Sequence, residues 1–364
     1  MGDIIKNKYK IIISCLLICL FGLLMVYSSS KIWAEYKFND SLYYFKHQLL
    51  FFIISIIGMY IVSKINYKIY LKYSNIILLI SFILLGLVLI PGIGQVRNGS
   101  RSWFGIGSFG FQPSEVAKLS LIIFVSKYLA NNEKEVKSIT KGVFPILFII
   151  FLFFGLIMLE PDFGTGMVII ATLFVMLFAS NIKLSFFAYL IILGILGIVG
   201  LIIMAPYRMA RIVSFINPWI DPLGSGFQII QSLYAISPSG LFGRGIGNSI
   251  QKHFYLPEPQ TDFIFAIISE ELGILGILIL VILFLIMFSA SIKVSLNSDN
   301  LFGKYLSFGL IIGIILQTIL NICVVIGLVP VTGVTLPFIS YGGSSLLVSM
   351  VSIGIIINVS NYQK

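Results

Sequence analysis

The chain has 364 residues, of which 58% are hydrophobic and 10% charged, and its mean hydropathy is +1.05. This composition excludes a water-soluble globular protein and predicts an all-α polytopic membrane protein. The formal net charge of +10 does not predict nucleic-acid binding, because membrane topology accounts for the lysines.

Ten apolar segments follow one another, each near the length of about 20 residues that a helix needs to cross a bilayer. They are Ile11 to Tyr27, Gln48 to Val62, Asn75 to Ile90, Pro113 to Leu129, Val143 to Leu159, Gly164 to Ser180, Leu184 to Ala205, Phe263 to Ile292, Tyr305 to Val329 and Tyr341 to Ser360. No small-residue cleavage site follows the first segment, so it reads as an anchor and not as a signal peptide.

The distribution of lysine predicts the topology of these helices. With a cytoplasmic N-terminus, the inner segments hold most lysines, beginning with Lys6, Lys8 and Lys10. Positive charge favours the cytoplasmic side, so both termini are predicted to be cytoplasmic. Residues 1–364 then form a single membrane domain with one large extracytoplasmic loop, about residues 206–261, between helices 7 and 8.

This loop holds six of the 12 prolines and several glycines, which predicts folded turns and not one long helix. Within it, Phe227, Ile230, Leu233 and Tyr234 recur at helical spacing. We therefore predict one short helix lying in the membrane interface.

Every arginine falls on the predicted outer side, whereas the inner side uses only lysine. The arginines are Arg97, Arg101, Arg208, Arg211 and Arg244. Planar guanidinium groups offer paired donors that suit phosphate oxygens. The pattern predicts an anion-binding outer face, and interfacial snorkelling of long side chains is the alternative.

Asp262 follows a proline-broken polar loop and precedes a long apolar helix. A charge at a helix centre in lipid costs roughly 2.5–3.5 kcal/mol, so a carboxylate at the rim indicates a function. We interpret Asp262 as a candidate general base. The alternative is that it only helps Thr261 to cap the helix.

Two further pairs of charged residues stand out. Glu115 and Lys118 are three residues apart in a helix opened by Pro113, so they can pair. Glu160 and Asp162 flank a proline at a helix end and are candidates for a divalent cation, Mg²⁺ or Mn²⁺, or for pairing with arginines. The sequence requires no cofactor.

The segment between the last two helices is broken by prolines and glycines at Pro330, Gly333, Pro337, Gly342 and Gly343. Broken backbone at membrane depth is tolerated where it lines a cavity or is buried in protein. We therefore expect this segment to help wall the site.

Several long motifs, in the same order along nearly the whole chain, resemble those of the SEDS family (shape, elongation, division and sporulation), which includes FtsW, RodA and SpoVE. They are Asn98 to Trp103, Gln112 to Lys118, Glu160 to Thr165, Leu256 to Phe265 and Pro337 to Ser344. The residue sequence from Leu256 to Asp262, together with the preceding segment Gly243 to Ser249, is most similar to the FtsW and SpoVE branch of the family.

The resemblance implies a peptidoglycan glycosyltransferase of the bacterial cytoplasmic membrane that polymerises lipid II on its outer face in cell division or sporulation. It implies that Asp262 takes the proton from the acceptor's 4-hydroxyl and that Lys118, with Glu115, lies in the central cavity. There Lys118 either binds diphosphate or holds the shape of the site, and a purely structural ion pair is the alternative.

Among the arginines, Arg101 is the first candidate for the donor's diphosphate, because it lies in a family motif. Ser340, in the last motif, is a further candidate for lining the cavity. The implied partners are a class B penicillin-binding protein, divisome or sporulation proteins and membrane lipids. A lipid II transporter is the alternative function, since charged cavities and broken helices are also typical of transporters.

Overall fold

A computed structural model describes residues 2–97, 99–106, 109–138, 142–180, 182–203 and 206–363. Asn98 in the first family motif and Ala205 at the end of the seventh predicted segment lie outside these residues, as does the side chain of Arg208.

The described residues form twelve α-helices and three short β-strands. The helices are α1 Gly2–Phe38, α2 Tyr43–Lys64, α3 Lys68–Val88, α4 Pro113–Asn131, α5 Phe144–Leu159, α6 Phe163–Phe178, α7 Leu184–Ile203, α8 Pro206–Ile216, α9 Phe227–Ile236, α10 Ile264–Leu296, α11 Leu301–Val325 and α12 Gly343–Ser360. The strands are β1 Gln95–Arg97, β2 Ser100–Ile106 and β3 Phe109–Phe111.

Each predicted apolar segment lies on a helix of its own, α1 to α7 and α10 to α12. By length and composition, six of the described helices can cross a membrane, namely α1, α2, α3, α10, α11 and α12. Helices α5 and α6 have only 16 residues each. The predicted membrane protein is therefore confirmed in its helical character, and the number of crossings stays a prediction.

Residues 206–261 contain turns and no long helix, as predicted, but they form two short helices, α8 and α9, and α8 was not predicted. Helix α9 covers the four residues that predicted a short helix. It packs on α10 and α11, and Ser232 Oγ donates to the Val325 carbonyl at 2.6 Å.

Hydrogen bonds between segments far apart in the chain identify two ends of the bundle. At one end, Lys8 Nζ donates to Asn361 Oδ1 at 2.7 Å, which brings the two termini together. We name this the lysine end. The other end, which we name the aspartate end, carries Asp262, loops 39–42, 160–162 and 326–342, and the described residues between α3 and α4. There Gln48 Nε2 donates to the Ser340 carbonyl at 3.2 Å.

A three-stranded antiparallel sheet, in the order β1-β2-β3, corrects the all-α prediction. Strands β1 and β3 have only three residues each, and the seven residues of β2 do not alternate regularly between apolar and polar, so the sequence pattern does not indicate strands here. Side chains fix the sheet on neighbouring elements, since Ser344 Oγ of α12 donates to the Gly110 carbonyl at 3.1 Å.

Helix α10 is broken at Gly273, where φ is 64° and ψ is −161°. Residues 240–245, which we name the strap, take over the hydrogen bonds that the break leaves open. The strap donates from Arg244 N to the Glu270 carbonyl and from Gly245 N to the Glu271 carbonyl, both at 2.9 Å. In return, the N–H groups of residues 274 and 275 donate to the carbonyls of residues 240 and 241 at 3.0 and 3.1 Å.

The strap fits because two glycines meet backbone to backbone. A Cβ atom on Gly243 would lie 2.4 Å from the Glu271 carbonyl carbon, and one on Gly273 would lie 2.4 Å from the Gly243 nitrogen. The irregular backbone is thus satisfied by protein inside the bundle, as the membrane environment requires.

We expect Gly243→Ala to destabilise the protein several times more than Gly247→Ala. Both glycines have positive φ, 70° and 87°, so both variants carry the left-handed strain of roughly 1–2 kcal/mol. Only at Gly243 does the new methyl group also strike backbone, because nothing lies within 4 Å of a Cβ at Gly247. Thermal unfolding in detergent measures the difference, and equal losses would show that the strap does not need close contact.

Candidate active site

Asp262 lies half-buried at the aspartate end, two residues before α10 begins. Thr261 Oγ1 donates to Asp262 Oδ1 at 2.9 Å. The N-cap residue of α10 is Phe263, and no side-chain hydrogen bond caps this helix. Capping is therefore not the role that the geometry gives to the Asp262 carboxylate.

Charges and burial act on this carboxyl in opposite directions. Removal from water raises the pKa of Asp262, whereas the hydrogen bond from Thr261 lowers it. The negative charge of Glu258 raises the pKa further, and the positive charge of Arg211 lowers it. The net direction is upward, so this carboxyl binds a proton more tightly than an ordinary aspartic acid does.

Three consecutive backbone carbonyls fix the position of Asp262. Each accepts one hydrogen bond from the last part of the chain. The bonds run from Tyr341 N to Gln260 O at 2.8 Å, from Ser340 Oγ to Thr261 O at 2.6 Å and from Asn321 Nδ2 to Asp262 O at 2.7 Å. We name these bonds the carbonyl clamp. The structure thus places Ser340 beside Asp262, against main-chain atoms.

Asn321 and Gln317 are site residues that the sequence analysis did not select. They lie one turn apart on α11, so they share a face. Asn321 Nδ2 also donates to the Val334 carbonyl at 2.7 Å, and Gln317 Nε2 donates to the Thr335 carbonyl at 3.1 Å. Two amides on one face of an apolar helix are costly in lipid, and this was the signal that could have found them.

Glu115 and Lys118 pair as the sequence predicts, with 2.6 Å between Glu115 Oε2 and Lys118 Nζ. Both residues are buried. Lys118 Nζ also donates to Gln317 Oε1 at 2.7 Å. The ion pair is therefore connected, through Gln317 and the backbone of residues 334–335, to Asn321 and the carbonyl clamp.

The arginines divide into those near Asp262 and those elsewhere. Arg211 donates from Nη1 to the Val331 carbonyl at 3.0 Å, and its charge acts on Asp262. Arg97 lies over the ring of Trp103, with 5.1 Å from Cζ to the ring centroid, and its charge lowers the pKa of Tyr341 against a larger upward effect of burial. Arg101 Nη1 donates to the Leu89 carbonyl at 3.4 Å.

Arg244 belongs to a different cluster, beside the break in α10. Its Nε lies 3.6 Å from Glu270 Oε1, and Ile250 N donates to the same oxygen at 2.8 Å. Next to it, Lys252 Nζ lies 2.9 Å from Glu271 Oε1. This cluster ties the loop that follows the strap to α10, and the structure does not bring Arg244 to Asp262.

Glu160 and Asp162 lie together between α5 and α6. The Asp162 carboxylate accepts from Thr165 N at 3.2 Å, as the N-cap of α6, and from Gln112 Nε2 at 2.8 Å. Glu160 is fully buried, and neither carboxyl oxygen has a hydrogen-bond partner in the part of the chain that is described. Burial, with the charge of Asp162, raises the pKa of Glu160 to about 9.

Comparison with known proteins gives this site its context. The family model described as cell cycle protein, FtsW/RodA/SpoVE, matches residues 9–364. The chain belongs to the FtsW/RodA/SpoVE family. Stage V sporulation protein E of Bacillus subtilis strain 168 is 50% identical over 354 residues, 97% of each chain. The probable peptidoglycan glycosyltransferase FtsW of Geobacter sp. strain M18 is 38% identical over 358 residues, 98% of this chain and 96% of the relative.

A solved structure supports the same assignment at the level of the fold. A chain of a peptidoglycan synthase complex, described as coordinating polymerization and crosslinking, superposes with a TM-score of 0.79 at 26% identity and covers 98% of both chains. The resemblance to the FtsW/RodA/SpoVE family that the motifs predicted is confirmed.

This family member also contains a small cavity of about 10 Å³, close to the space that one water molecule needs, between α4, α11 and α12. Lys118 lies at its edge, and the remaining lining is mostly apolar, with Ser349 and Ser352 as polar members. Asp262 does not line this cavity, so Lys118 stands between an apolar space in the bundle and the polar contacts that lead to the carbonyl clamp.

We expect Glu160→Gln to flatten the dependence of stability on pH. The folded protein keeps the Glu160 proton up to about pH 9, whereas the ordinary value is 4.5. Between pH 4.5 and pH 9 the folded state therefore binds more protons than the unfolded state. The contribution of Glu160 to the free energy of unfolding is fully present below about pH 4.5 and is lost as the pH rises towards 9. Thermal unfolding at about pH 5.5 and about pH 8.5 should show a larger fall for the wild type than for the variant.

Parallel pH profiles of the two proteins would contradict a protonated Glu160.

Thermal unfolding of the same two proteins also tests the predicted cation site. Mg²⁺ or Mn²⁺ bound by Glu160 and Asp162 would raise the unfolding midpoint of the wild type and not that of Glu160→Gln. Among the described residues, no group of three or more His, Cys, Asp or Glu side chains is placed to hold a metal.

Proposed function

We propose that this chain is a peptidoglycan glycosyltransferase that polymerises lipid II, the undecaprenyl diphosphate-linked disaccharide pentapeptide, in cell division or sporulation. The observation that carries the proposal is Asp262, a half-buried carboxylate held by the carbonyl clamp at the end of the bundle that also carries Arg101 and Arg211. The names of the relatives, a stage V sporulation protein and a peptidoglycan glycosyltransferase, support it.

The proposed reaction is one inverting displacement. The Asp262 carboxylate takes the proton from the 4-hydroxyl of the acceptor sugar, and that oxygen forms a bond to the anomeric carbon of the donor. The bond from this carbon to the phosphate oxygen breaks on the opposite face, and undecaprenyl diphosphate leaves with the electron pair. Positive side chains near the leaving group stabilise the charge that develops there.

The arginines are the proposed ligands of the diphosphate. Arg211 and Arg97 act electrostatically on Asp262 and on Tyr341, the residue that donates to Gln260 in the clamp. Arg101 and Arg208 stay candidates at the same end. Arg244 is the weakest candidate, because Glu270 already neutralises it.

The proposed topology has ten crossings in the bacterial cytoplasmic membrane, with the lysine end in the cytoplasm. The meeting of the two termini at this end supports it, as does the concentration of arginine at the other end. Asp262 and the loop of residues 206–261 then face outward, where lipid II is used. This position at one face argues against the transporter alternative, since transporters place their sites near the midplane.

We expect Asp262→Asn to lower the rate of polymerisation by a factor of about 10² or more, the contribution of a positioned base. The amide keeps the size of the side chain but cannot take the proton. Purified protein in liposomes with lipid II gives the rate, and the product is measured as glycan strands. Asp299→Asn, an exposed carboxylate at the lysine end, is the matched control and should keep the wild-type rate.

Equal polymer from the wild type and Asp262→Asn would overturn the base assignment. Movement of lipid II across the bilayer without any polymer would favour the transporter instead. A polymerising protein that needs neither Mg²⁺ nor Mn²⁺ would fit the proposal that Asp262 and the arginines meet the main demands of the reaction.

We further propose a single-pass class B penicillin-binding protein as the partner, within a divisome or sporulation assembly, together with membrane lipids. The match to a chain of a complex that coordinates polymerization with crosslinking supports it. Helices α10 and α11 present apolar side chains outward, among them Leu285, 59% exposed, and Ile319, 51% exposed.

A photocrosslinker at Leu285 is expected to capture the partner's membrane helix, and one at Leu241 its outer domain. Ile76 on α3, 54% exposed, is the control position and should give no product, because it lies on a different face of the bundle. Absence of product at both test positions in cells that express both proteins would count against this surface.

A further inference from the structure

We propose that Asn321 is the positioning residue for Asp262, setting the place of the carboxylate through its backbone without touching the substrate. This inference rests on the proposed role of Asp262 as the base. Asn321 is a buried residue of α11, a helix that contributes no residue to the proposed displacement reaction.

The contacts of Asn321 make it the only described link between Asp262 and Val334. Its Nδ2 donates to both carbonyls at 2.7 Å. These residues lie 59 positions before and 13 positions after it in the chain. One rigid amide therefore fixes the distance between the segment that carries the carboxylate and the broken segment that walls the site.

Asn321 is placed to hold two backbone carbonyls at once. It is fully buried, and its Oδ1 has no hydrogen-bond partner among the described residues. That unpaired oxygen costs about 1–3 kcal/mol, but an apolar side chain at this position would leave the carbonyls of Asp262 and Val334 unpaired at a similar cost each. Loss of the amide is therefore expected to affect stability as well as position, and the two effects need separate measurements.

The effect on catalysis is larger than the effect on stability. A reacting group displaced by about 1 Å can lose a factor of about 10² in rate. The other two bonds of the clamp hold residues 260 and 261, so Asn321 alone, among the described contacts, holds the carbonyl of Asp262 itself. Its loss frees the residue that carries the carboxylate while the rest of the loop stays bound.

The test compares three variants of the full chain in liposomes. Asn321→Leu removes both donors, and Asn321→Asp keeps the shape of the side chain. Asn358→Leu is the matched control, because Asn358 is also buried and also makes two backbone bonds of 2.8 Å, to Tyr67 and Ser63, at the lysine end. Rates of lipid II polymerisation give kcat and KM, and thermal unfolding gives stability.

Both Asn321 variants are expected to lower kcat about 10-fold to 100-fold with KM for lipid II changed less than about twofold. Asn358→Leu is expected to lose a similar amount of stability and to keep kcat. The rate of Asn321→Asp relative to the wild type should recover as the pH falls, because a protonated Asp can donate one of the lost bonds. The relative rate of Asn321→Leu should not depend on pH.

A kcat within twofold of the wild type in both Asn321 variants overturns the proposal, and so does an equal loss of kcat in Asn358→Leu. If Asn321→Leu does not fold, the pH response of Asn321→Asp decides. If neither folds while Asn358→Leu does, Asn321 is a folding residue and the proposal fails. Asp262→Asn is assayed in parallel. A wild-type polymerisation rate in this variant would overturn the assignment of Asp262 as the base, whatever the Asn321 variants show.

Discussion

The geometry of the proposed site depends on how the carbonyl groups just before α10 find hydrogen-bond donors. A buried carbonyl that is left without a donor costs about 1–3 kcal/mol. The chain supplies the donors from α11 and from the broken segment before α12, 59 and 79 positions away from their acceptors. The carboxylate therefore stands where two parts of the last hairpin, α11 and the broken segment, hold the backbone that carries it.

At the break in α10, a different part of the chain supplies the missing hydrogen-bond partners of the backbone. The strap donates to and accepts from the backbone on both sides of Gly273, and the ion pairs of Arg244 and Lys252 hold the loop behind it. The first turns of α10 are thus clamped before the helix by α11 and after it by the strap. A rigid start of α10 is what a positioned base needs.

The helices were largely predictable, because length and apolar character are local properties of the sequence. The Glu115–Lys118 pair was predictable for the same reason, since residues three apart on a helix share a face. The small sheet was missed because β1 and β3 have only three residues each and β2 shows no regular alternation of apolar and polar residues. The break at Gly273 and the role of Asn321 were missed because each depends on contacts between segments far apart in the chain, which one sequence does not display.

The hydrogen bonds and ion pairs of the positive side chains also decide which of them suits binding of a diphosphate. Lys118 is buried between Glu115 and Gln317, and removing one partner of a buried ion pair costs about 3–5 kcal/mol. Arg101 instead donates to the neutral carbonyl of Leu89, a hydrogen bond that contributes about 1.5–3 kcal/mol. A charged phosphate oxygen competes with such a carbonyl for the guanidinium, so Lys118 is better suited to hold the shape of the site and Arg101 to bind the anion.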